Sequence, residues 1–99
     1  MENTKFFSQR FSPDPTFVYR RIADDCLLVP IRQQVAGQQF IYVLNPMANR
    51  IWELLDGRRT LAEVRDQLLE EFEVSPQELE QDLREFIAQL RHIDAIREA

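Results

Sequence analysis

The chain holds one cysteine, one histidine, one tryptophan and two glycines in 99 residues, and each shortage removes a class of chemistry. Cys26 has no second cysteine with which to close an intramolecular disulfide. Its place in the run Cys26-Leu27-Leu28-Val29 reads as a small buried hydrophobe, not a reactive thiol. His92 and Cys26 lie far apart in sequence, so no ligand set falls at metal-binding spacing. Two glycines leave no glycine-rich phosphate loop and no nucleophile elbow, so nothing resembles an enzyme site and no cofactor is expected. His92 falls instead in the last turn of a helical stretch, where a cation suits the helix dipole.

Basic residues are also in deficit. Twelve Lys and Arg against 17 Asp and Glu give a formal charge of -5, so the average surface repels phosphate backbones and anionic membranes. Neither nucleic acid nor membrane is the expected partner. No segment approaches the roughly 20 apolar residues of a membrane span, and Lys5 and Arg10 are not followed by the apolar stretch of a secretion signal. A cytoplasmic location is the expectation. What is present, 44% hydrophobic and 29% charged residues without repeats, suits a single modest core.

The chain turns from strand period to helix period between Phe40 and Gly57. The apolar run Phe40, Ile41, Tyr42, Val43, Leu44 breaks at Asn45-Pro46, where Pro46 suits a first helical turn and Asn45 can cap it. Met47, Ala48, Ile51, Trp52, Leu54 and Leu55 follow at helical spacing, and Gly57 can take the left-handed conformation that ends a helix. Upstream, residues 1–16 carry Phe6, Phe7 and Phe11 among polar residues and end in Ser12-Pro13-Asp14-Pro15, which reads as a loose arm preceding a single domain over 17–99. Three roles stay open for its phenylalanines: packing on their own domain, binding a partner, or exchange between two copies.

Phe17 to Ile22 and Cys26 to Arg32 read as two antiparallel strands joined through Ala23-Asp24-Asp25, with Pro30 at a bulge, a strand end or an unpaired side. A turn around Ala36-Gly37-Gln38 returns the chain into a third strand near Gln39 to Leu44, an edge of the sheet if the order is sequential. Downstream, Thr60 and Glu63 form a capping box before a helix over Leu61 to Phe72. Ser75-Pro76 opens the longest helix, with Glu78 at its third position and Leu79, Leu83, Phe86, Ile87 and Leu90 as its apolar stripe. The expected fold is α+β: a three-stranded antiparallel sheet followed by three helices, packed as in a winged helix-turn-helix, with Trp52, Leu55, Leu68, Leu83, Phe86 and Leu90 in the core. Trp52 has a second reading, as an aromatic that faces a partner.

Two charged sets invite a functional reading. Glu70, Glu71, Glu73, Glu78, Glu80, Asp82 and Glu85 fit a solvated helix surface, of which Asp82 and Glu85 flank the apolar stripe as a rim for a basic or polar peptide. Arg50, Arg58 and Arg59 are the cations a winged-helix DNA-binding regulator would use, the alternative function. Against it, residues 77–86 of the would-be reading helix carry four acidic side chains and one basic.

The segment Ile51-Trp52-Glu53-Leu54-Leu55-Asp56-Gly57-Arg58-Arg59-Thr60-Leu61, preceded by Leu44-Asn45 and followed by Asp82, Phe86-Ile87, Leu90 and Ile96, resembles the PqqD-like family, also called RiPP recognition elements. The resemblance spans about residues 17–97. Where family members of the quinone pathway often have Cys and Gly, this chain has Leu55 and Asp94, and Asp tolerates a left-handed cap. The resemblance implies a non-catalytic peptide chaperone. Such a module binds the leader of a ribosomally made precursor peptide and presents it to a modifying enzyme, in the type case a radical SAM enzyme of pyrroloquinoline quinone (PQQ) biosynthesis. It further implies that the leader adds as a strand beside the third strand, along a groove walled by the third helix. The site residues are then Phe40, Ile41, Tyr42, Val43 and Leu44 with Asp82, Leu83, Phe86 and Ile87.

Overall fold

A computed structural model describes residues 2–31 and 41–99. Its elements run α1 (Glu2–Phe7), β1 (Phe11–Pro13), β2 (Phe17–Ile22), β3 (Asp25–Pro30), β4 (Tyr42–Leu44), α2 (Pro46–Leu54), α3 (Leu61–Glu71), α4 (Pro76–His92) and β5 (Ile96–Glu98). The α+β class and the three-stranded antiparallel sheet followed by three helices match the sequence expectation. The sheet order is β2-β3-β4, which puts β4 at one edge.

Local chemistry sets most of the boundaries. The β2–β3 hairpin turns at Ala23 with φ 56, and Pro30 is the last residue of β3, where its missing N–H breaks no further pairing. Asn45 accepts the Ala48 amide and Pro46 starts α2. Gly57, at φ 80, takes the chain away from that helix. Thr60 and Glu63 complete the reciprocal capping box of α3, and the Ser75 hydroxyl accepts the Glu78 amide at the start of α4. Asp94 stands at φ 60 after α4, the left-handed position expected of it.

Packing follows the apolar stripes. Leu79, Leu83, Ile87 and Leu90 of α4 are buried beside Leu61, Val64 and Leu68 of α3 and Ile51, Trp52, Leu54 and Leu55. Each large side chain so buried contributes roughly 1.5–3 kcal/mol. Trp52 is 7% exposed, which settles its role as core rather than as a partner-facing ring. Cross-strand register places Cys26 opposite Leu44 and Leu28 opposite Tyr42, so the face bearing buried Cys26, Leu28 and Leu44 meets the helices. The other face carries Val18, Leu27, Val29 and Val43.

The N-terminal residues depart from the loose arm expected of them. Phe7 and Phe11 are buried, the latter completely, and β1 pairs antiparallel with β5, forming a second, two-stranded sheet. The arm's backbone is tied down as well: Leu61 and Gly57 amides donate to the carbonyls of Gln9 and Phe11 at 2.9 Å each, and Asp14 donates to Ala95 at 2.8 Å. Two guanidiniums hold the ring of Phe7, Arg65 at 5.0 Å and Arg84 at 5.1 Å from its centroid. Of the three roles left open for the phenylalanines, packing on their own domain is the one observed for Phe7 and Phe11. β1 and β5 have three residues each, too few to show a period in sequence.

Candidate functional site

The helix-facing side of the sheet does not close completely against α4. Between β4 and the C-terminal half of α4 lies an apolar groove of about 420 Å³, within the range of small-ligand and side-chain sites. Leu28, Tyr42, Val43 and Leu44 form its sheet wall, and Phe86, Ala88, Gln89, Leu90, His92 and Ile93 form its helix wall. The helix positions 86, 89 and 93 repeat at three and four residues, the spacing of one helical face. Tyr42 is half-buried, its ring 6.4 Å from that of Phe17.

β4 brings the second component. Among the described residues it pairs only with β3, so its other edge offers backbone N–H and C=O groups beside the groove. Val43 is 67% exposed and Ile41, just before the strand, 59% exposed, so this edge carries open apolar side chains. The adjoining α2 is fixed to the sheet by Tyr19, whose hydroxyl donates to Asn49 Oδ1 at 2.5 Å with Cys26 Sγ 3.4 Å away. The contact with Cys26 and burial raise the Tyr19 pKa above its ordinary value.

Of the residues expected at the site, Tyr42, Val43, Leu44 and Phe86 line the groove. Ile41 flanks it. Phe40 lies outside the described residues, as does the turn expected at Ala36 to Gln38. Leu83 and Ile87 are 0% and 1% exposed and belong to the core, while Asp82 is exposed and is not among the lining residues. Phe86, expected in the core, is only half-buried because it faces the groove. Sequence reading missed Leu28, Ala88, Gln89, Leu90, His92 and Ile93 as lining residues. The available signal was the 86/89/93 spacing continued beyond the apolar stripe to the helix end.

Two of the three arginines considered for a nucleic-acid surface, Arg50 and Arg59, are engaged by carboxylates. Arg50 donates to both oxygens of Glu71, at 2.7 and 2.8 Å, and to Glu53 at 3.2 Å. The Arg50 bonds, and then that of Gln67, push Glu71 down to about 2, and Arg50 is raised in turn. Arg59 Nη1 lies 2.7 Å from Asp56 Oδ2. Asp56 is held below the usual carboxylate range by the backbone amides of Arg59 and Arg58, which donate to it at 3.0 and 2.9 Å.

The sequence profile of the family described as coenzyme PQQ synthesis protein D (PqqD) matches residues 27–96. The chain belongs to the PqqD family. The matched span contains every groove-lining residue named above, from Leu28 to Ile93, and leaves out α1, β1 and β2. Among solved structures the chain is similar to a protein described as "TbiB1 in Complex with the TbiA(beta) Leader Peptide", with a TM-score of 0.71 and 23% identity. The similarity covers 87% of this chain and 94% of that one. At this identity it is a likeness of fold. No curated protein matches the chain in sequence. Among the described residues, no helix is long and apolar enough to cross a membrane.

Proposed function

We propose that this PqqD-family chain is a peptide-binding module. It takes up the leader of a ribosomally made precursor as an added strand on β4 and holds it for a modifying enzyme of PQQ or related peptide biosynthesis. The observation that carries the reading is the apolar groove beside the edge of β4 that has no strand partner among the described residues. An edge strand supplies main-chain hydrogen bonds to almost any extended sequence, and a groove next to it selects alternate side chains. Family membership supports the same reading, as does the fold shared with a protein solved with a leader peptide bound.

Strand addition makes a specific demand on β4. Successive amides of an antiparallel strand point to opposite neighbours, so the amides of either Val43 alone or Tyr42 and Leu44 face away from β3. When a cognate leader peptide is titrated in, the outward amides gain hydrogen-exchange protection while the inward ones, already paired with β3, change little. Amide shifts in β4 and the C-terminal half of α4 move together, and those of Arg58 and Arg59 stay still. Shifts that cluster on α2 and α3 instead would rule out strand addition.

A further inference from the structure

The groove is lined unevenly. Its ten described lining residues include no Asp, Glu, Lys or Arg, in a chain of net charge -5. Two of them, Gln89 and His92, put polar side chains at the α4 end of an otherwise apolar wall. Neither side chain has a hydrogen-bond or ion-pair partner among the described residues, whereas Arg91 between them stands 5.4 Å over the ring of Phe11. The last-turn carbonyls do not use them either: those of Gln89, Leu90 and Arg91 accept the amides of Ile93, Ala95 and Asp94 at 3.2, 2.8 and 3.1 Å.

A segment lying in this groove removes Gln89 and His92 from water, and desolvated donors left unpaired are costly. Alternate backbone groups of an added strand pair with β4 and the rest face away from it, so the partner that enters the groove and can select sequence is a side chain. A carboxylate is the acceptor that gains most, because charge-assisted hydrogen bonds are roughly twice as strong as neutral ones. Imidazole offers an N–H in either protonation state. Asp94, the nearest acidic residue in sequence, is exposed and does not line the groove.

Resting on the peptide-capture reading, we propose that Gln89 and His92 form a carboxylate-reading end of the groove. The segment it captures then carries an Asp or Glu on the same face as its large apolar anchor. Six helical residues separate Phe86 from His92, about 9 Å along the axis. Same-face side chains of a strand stand about 6.6 Å apart, and the reach of an Asp or Glu side chain covers the difference. The acidic residue therefore sits two positions from the apolar residue that packs on Phe86.

The test is selection of a random dodecapeptide display library on the full chain, in the natural form and as His92→Ala, Gln89→Ala and His92→Glu. The natural chain is expected to enrich peptides with Asp or Glu two positions from a large apolar residue. His92→Ala keeps the apolar preference and loses the acidic one, and His92→Glu replaces it with Lys or Arg. For a synthetic peptide from the selection, changing its Glu to Gln weakens binding about tenfold on the natural chain and little on His92→Ala. Both side chains are exposed, and circular dichroism confirms that each variant is folded. Enriched peptides with an apolar anchor but no acidic preference, or an acidic preference unchanged in His92→Ala, overturn this inference and leave peptide capture standing. No enrichment at all, or selected peptides that fail to shift the β4 amides, overturns both.

Discussion

Gly57 occupies φ 80, and a Cβ built there would meet Ser12 Cβ at 3.3 Å. Gly57→Ala carries both the left-handed penalty and a crowded contact with β1. It should lower unfolding stability by about 1–2 kcal/mol, measured by urea denaturation. Asp94, also left-handed, carries the opposite expectation: Asp94→Gly relieves strain and leaves stability unchanged or slightly raised. Glu71 gives a pH signature. Its carboxyl is depressed from 4.5 to about 2 by Arg50, so its stabilising effect is fully present above about pH 4.5 and disappears as pH falls through about 2. In Glu71→Gln the acid limb of the stability profile between those values should be shallower than in the natural chain, and Arg50→Ala should flatten it in the same way. An unchanged limb in both variants would mean that the pair does not form in solution.

At the scale of elements, α4 serves two functions from adjacent faces. Leu83→Ala empties a fully buried position and should cost about 2–5 kcal/mol without a specific effect on binding by the folded fraction. Phe86→Ala removes a half-buried groove wall, so it should cost less stability and more affinity, a contrast read by pairing denaturation with peptide titration. That division was not legible in the sequence, where 83, 86, 87 and 90 form a single apolar stripe. Hydropathy reports that a side chain leaves water, and cannot say whether a neighbour or a ligand covers it. Caps and turns were legible because their chemistry is local: Asn45-Pro46, Gly57, Thr60 with Glu63, and Ser75-Pro76 each act within four residues. The β1–β5 pair was not, since its contacts join the two ends of the chain and its strands are too short for a period. Phe11 shows what that pairing is worth. It is completely buried, and Phe11→Ala should cost about 3–5 kcal/mol, a large part of the stability of a domain this size, whereas a loose arm would tolerate the change.

For the whole molecule, the two sheets divide the work. The β1–β5 sheet and α1 brace the helices from one side, leaving β4, which among the described residues pairs only with β3, beside an incompletely filled seam against α4. That β4 is an edge is not revealed by composition, because the apolar run ending at Leu44 reads equally well as a central strand. The central claim, capture of a leader strand on β4, is tested most directly by amide hydrogen exchange of the chain with and without its leader peptide. The account predicts new protection at alternate residues of β4, with the amides facing β3 unchanged. Protection spread over α2 and α3 with β4 unaltered would contradict it.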